Sequence, residues 1–114
     1  MTEASLLAFG FTLFVGTALA FHVIRDSYAP WLLSAIHALL GTIGLVLLIL
    51  DVRSDPGHGI ASTGLILMLI AALGGFYLAY CHLNEQIPSK VRVLRHASIG
   101  VLGFVLLGWV VLSE

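Results

Sequence analysis

The residues able to do chemistry in this chain are its histidines. There are 5 of them among 114 residues, and four fall into a repeated pattern. The stretch 37–48 returns as 96–107, an offset of 59 residues from His37 to His96. Each histidine is followed four and seven positions later by glycine, Gly41 and Gly44 in one copy and Gly100 and Gly103 in the other. On a helix those positions share the histidine's face. Upstream, Leu19-Ala20-Phe21-His22 is echoed by Leu78-Ala79-Tyr80-Cys81-His82 with one residue inserted. Imidazole is the commonest metal ligand and the side chain that most readily gains or loses a proton near neutrality. Four such rings at matched positions point to ligation of a metal or a metal-bearing cofactor.

The elements that must position them follow from composition. Sixty per cent of the residues are hydrophobic and 10% are charged, far from the average of a water-soluble domain. A chain of this length has too little interior to hide that much apolar surface from water. The surrounding medium is therefore the lipid bilayer. Four apolar stretches, residues 5–24, 31–50, 60–82 and 93–112, each approach the ~20 residues of a membrane-spanning helix. The expected fold is an all-α integral membrane protein: one domain over 1–114, a four-helix bundle of two helical hairpins repeated in parallel, about 1–57 and 58–114. The N-terminal stretch carries Glu3 and no basic residue, so the first helix is read as a retained span, not a secretory signal. Pro88 is expected to open the fourth helix. Asp51 and Asp55 are read as solvated at the outer boundary. The single cysteine, Cys81, excludes an internal disulfide and is read as a small buried hydrophobe.

Orientation follows from the basic residues. Arg25, Lys90, Arg92 and Arg95 flank the first and third connections, and Arg53 alone lies on the other side. The positive-inside rule then puts both termini on the outer, periplasmic side of what is expected to be a bacterial inner membrane. Tyr28, Trp31 and Trp109 suit the aromatic belts at the two boundaries. No basic arm points to nucleic acid.

In this topology His22 and His82 end the first and third helices, while His37 and His96 sit near the start of the second and fourth. All four are expected in one layer of the cytoplasmic-side leaflet. Small residues lie beside them: Ser34 and Gly41 near His37, Gly100 and Gly103 after His96, Ala18 and Ala79 before His22 and His82. These leave room for a flat macrocycle, and equally permit close helix packing. Arg92 and Arg25 lie on the ligands' faces towards the surface, where haem propionates find guanidinium partners. The favoured axial pair is His37 with His96, with His22 and His82 a second pair or a supporting shell. Convergence of all four on a non-haem metal ion is the alternative, since imidazole suits zinc, copper and iron.

Histidines on antiparallel spans followed by glycines on the same face resemble the four-helix, bis-histidine membrane cytochromes of the b type. The resemblance covers the four-helix plan and the motif around His37 and His96. It implies one or two b haems and electron transfer with a quinone, a quinol or a redox partner subunit, within a homo- or hetero-oligomer. Ligands in both leaflets are common among such cytochromes, whereas here they gather in one. Length and span count are also similar to the small multidrug resistance transporters, but the membrane-buried glutamate of that family has no counterpart in residues 5–24. A structural subunit of a larger membrane complex is a third reading. No serine–histidine–acid set, phosphate-binding loop or paired carboxylates within the spans mark an enzyme.

Overall fold

The computed structural model describes residues 2–114. They form four helices, α1 (Thr2–Ile24), α2 (Trp31–Ser54), α3 (Gly59–Leu83) and α4 (Lys90–Ser113). All four are long and apolar enough to cross a membrane. A 24-residue helix such as α2 rises about 36 Å, somewhat more than a ~30 Å hydrocarbon core. The helices run past the apolar stretches because α2 continues through Asp51 to Ser54 and α4 begins three residues earlier than expected. The opening residue of α4 also differs from expectation. Its cap is Ser89, whose side-chain oxygen accepts from the Arg92 backbone N–H at 3.3 Å, and Pro88 stands just outside.

The helices form an antiparallel ring in chain order. α1 packs mainly on α2 and α3 mainly on α4, while the α1–α4 and α2–α3 interfaces are lighter. α1 and α3 face each other across one diagonal, α2 and α4 across the other. The hairpin register is fixed by small residues. A Cβ on Gly44 would lie 2.8 Å from Phe9 Cε1, and one on Gly103 would lie 3.3 Å from the Met68 sulfur. Phe9, Leu48, Met68 and Leu107 make the buried core.

These contacts carry the 59-residue offset into α1 and α3, where the sequence shows little likeness. Phe9 corresponds to Met68, Gly44 to Gly103 and Leu48 to Leu107. The turns repeat as well. Asp26 and Glu85, one offset apart, both take left-handed backbone, φ 54° and 56°. The Ser27 N–H then donates to the His22 carbonyl at 2.8 Å, and the Gln86 N–H to the Cys81 carbonyl at 2.9 Å. Both helices therefore end in the same Schellman-type closure. Outside the narrow core the apolar side chains, Phe14, Leu73 and Leu112 among them, are exposed, as suits helices whose solvent is lipid.

Candidate functional site

Two histidines meet inside the bundle, each six residues in from the start of its helix. His37 on α2 and His96 on α4 come from diagonal helices, and their ring centroids are 6.0 Å apart with planes at 68°. Each ring is tied to the helix beside it. His37 Nδ1 is 3.0 Å from the Thr12 carbonyl oxygen of α1, and His96 Nδ1 is 2.8 Å from the Ala71 carbonyl oxygen of α3. Thr12 and Ala71 are themselves one offset apart. A carbonyl can only accept, so Nδ1 carries the proton in both rings. In the neutral ring that leaves the lone pair on Nε2, which makes no hydrogen bond among the described residues. A second-atom bond to a backbone carbonyl is how metal-ligating histidines are ordinarily held.

Glycines let the rings come this close to the neighbouring backbone. A Cβ on Gly16 would stand 2.8 Å from His37 Cε1, and one on Gly75 would stand 3.1 Å from His96 Cε1. Gly16 and Gly75 are again one offset apart, and sequence reasoning missed both. Gly41 and Gly100, the glycines it singled out, do not touch the rings. A Cβ on Gly41 would meet Thr12 Cγ2 at 3.5 Å, and Gly100 has nothing within 4 Å. Gly100 thus marks open space one turn from His96.

The four imidazoles do not lie at a single level, but the step is short. His82 Nδ1 reaches Ser34, one turn from His37 on α2, and His22 Nδ1 reaches the Ala18 carbonyl, two residues past Gly16. The outer rings therefore stand about one turn, ~5 Å, further toward the bundle end. Nor are His22 and His82 equivalent. The 59-residue offset pairs His22 with Cys81, which is buried, and the one-residue slip turns His82 to a different face. His22 bonds back to the Ala18 carbonyl of its own helix at 2.8 Å. His82 instead docks on the start of α2: its Nδ1 is 2.5 Å from Ser34 Oγ, and Tyr28 and Trp31 meet its ring edge-on at 4.6 and 4.9 Å. Tyr28 also donates its hydroxyl hydrogen to the His82 carbonyl. Among the described residues no three His, Cys, Asp or Glu side chains come together to hold a metal ion. The two arginines expected beside the histidines, Arg92 and Arg25, lie instead on aromatic rings. The Arg92 guanidinium stacks 4.5 Å from the Tyr77 ring and donates to its hydroxyl. That of Arg25 lies 5.8 Å from the Phe21 ring.

The central pair offers two imidazole Nε2 donors. Two rings held in line on one ion through Nε2, at about 2 Å per metal–nitrogen bond, have centroids roughly 6 Å apart, and this pair is spaced at 6.0 Å. Gly41 and Gly100 lie one turn from the rings, and His22 and His82 stand one tier further out. The fold and this pair define a class: a four-helix bundle of membrane-spanning type with a symmetry-related histidine pair on its axis. No family model, curated protein or solved structure matches the chain.

Proposed function

We propose that this chain is a membrane electron-transfer protein or subunit of the b-type cytochrome kind, with His37 and His96 as the axial ligands of one haem. The observation that carries this reading is the central pair. Its rings sit 6.0 Å apart across the diagonal and are anchored through the same atom to carbonyls one repeat apart. Bound there, haem iron would supply one-electron chemistry. The protein's part is to hold both imidazoles in the Nδ1-protonated form and present Nε2. Gly16 and Gly75 bring the anchoring backbone near enough to do so, and the apolar bundle keeps bulk water from the pair. His22 and His82 form the outer shell on the side where Arg25, Lys90, Arg92 and Arg95 gather. Those four cations, against Arg53 at the other end, support placing that side in the cytoplasm and both termini in the periplasm of a bacterial inner membrane. Electrons would pass at that face to or from a quinone, a quinol or a partner subunit.

The test is the absorption spectrum of the protein purified from cells well supplied with haem, together with its metal content. The expected result is a Soret band and a reduced α-band with one haem per chain, abolished by His37→Ala or His96→Ala and retained by His58→Ala. A colourless protein holding one zinc, copper or iron ion would move the same pair to non-haem ligation. A colourless, metal-free protein would overturn both.

A further inference from the structure

The end of the bundle away from the histidine pair holds a carboxylate in a core position. Asp51 lies one turn beyond the fully buried Leu48 on the α2 face made by Gly44, Leu48 and Asp51. The matching α4 face is Gly103, Leu107 and Val110. Asp51 therefore stands where the other half of the molecule places a valine. It is 9% exposed, and Val110 is 3% exposed. This corrects the expectation that Asp51 is solvated. Its Oδ2 is fully enclosed, and among the described residues neither carboxylate oxygen has a hydrogen-bond partner. A carboxylate so placed is costly unless something of opposite charge or a proton joins it.

A cavity of about 130 Å³ opens beside it, lined in part by Asp51, Ser54, Asp55, His58 and Glu114. Asp55 is already engaged: its Oδ2 is 2.7 Å from His58 Nδ1, and its Oδ1 accepts from the Gly57 N–H at 3.3 Å. Glu114 sits one offset from Asp55, so the two halves each contribute an acidic residue at this mouth. Three carboxylates and one imidazole leave the cavity negative.

We propose that this cavity binds one hydrated hard divalent cation of the Mg²⁺ or Ca²⁺ class, with Asp51 as the direct protein ligand through Oδ1, since the enclosed Oδ2 has no surface to offer the cavity. Oxygen donors select such ions, and Mg²⁺ commonly keeps several waters while bound through one or two carboxylates. Water must complete the shell, because no three acidic or histidine side chains converge on one point. Glu114 and Asp55 then hold the coordinated waters, and the ion ties the end of α2 to the start of α3 and the end of α4.

The experiment is thermal unfolding of the full chain in detergent, after removal of divalent ions with EDTA, titrated with MgCl₂ or CaCl₂ against choline chloride at matched ionic strength. Wild type should gain melting temperature saturably with one of the two ions, and equilibrium dialysis should count one ion per chain. Asp51→Val, which copies the other half, should fold, melt higher than wild type in EDTA and show no response to either ion. Glu3→Gln should respond like wild type. The proposal is overturned if neither ion shifts wild type, or if Asp51→Val gains as much as wild type does. An infrared carboxylic-acid carbonyl band lost in Asp51→Asn would also overturn it, naming a proton as the occupant.

Discussion

At the scale of single residues, the pair His37–His96 depends on two glycines that touch neither ring through a side chain of their own. A methyl at position 16 would press on His37 Cε1 at 2.8 Å, whereas at position 75 the closest approach is 3.1 Å. The imidazole is the movable partner, so Gly16→Ala should swing it off the Thr12 carbonyl and leave the helices packed. The expected outcome is a small change in melting temperature with a roughly tenfold or larger loss of metal or haem affinity, and a weaker effect for Gly75→Ala. Equal loss of stability and binding in both variants would contradict this. A second residue prediction concerns the turns. Glu85 holds φ 56°, a conformation costing a non-glycine residue about 1 kcal/mol. Glu85→Gly should therefore stabilise the protein by up to about that amount, read as a rise in melting temperature. The histidines and the glycines at 41 and 100 were legible because the repeat is nearly literal there. Gly16 and Gly75 were not, since the surrounding residues differ and the slip at Cys81–His82 hides the alignment of α1 with α3. Asp51 was misjudged for a related reason. Whether a helix-end carboxylate faces the bundle or the boundary depends on helix rotation, and apolar residues on every side of α2 leave that rotation unmarked.

At the scale of elements, four helices of this length and composition were readable because lipid demands them: an unpaired backbone cannot cross the hydrocarbon. What sets their register is less visible. Apolar area does not drive helices together in lipid, so packing rests on close fit at small residues. Gly64 shows this most directly. A Cβ there would stand 2.8 Å from Leu107 Cδ2 and 3.0 Å from its Cγ, and Leu107 is wholly buried. Neither the α3 backbone nor that leucine has room to give. Gly64→Ala should destabilise the α3–α4 hairpin by about 1–3 kcal/mol, measured by thermal or denaturant unfolding in detergent. Gly108 is the matched control, with nothing within 4 Å of an added Cβ. Gly108→Ala should be neutral or stabilising, because alanine is the better helix former by about 1 kcal/mol. If both variants lost stability equally, close packing at Gly64 would not be the cause.

At the scale of the whole molecule, the structure joins two similar hairpins whose internal contacts exceed those between them. Each hairpin supplies one member of the central pair together with that member's anchor: Thr12 and Gly16 for His37, Ala71 and Gly75 for His96. Neither half alone brings two imidazoles together at that depth, since its second ring, on His22 or His82, sits about one turn, ~5 Å, further out along the bundle, against Ala18 or Ser34. The site is thus a property of the union and not of the repeat. Cutting the chain in the exposed connection between Pro56 and Gly57 tests this, because that segment lies outside α2 and α3. The two fragments, 1–56 and 57–114, should each insert as a hairpin when expressed alone and carry no haem or metal. Expressed together, they should copurify and recover the spectrum of the intact protein. Recovery should fail when either fragment carries its histidine replaced, His37→Ala in the first or His96→Ala in the second. If one fragment alone bound the group, ligation would lie within a hairpin, through His22 with His37 or His82 with His96, and the axial pair across the diagonal would be wrong.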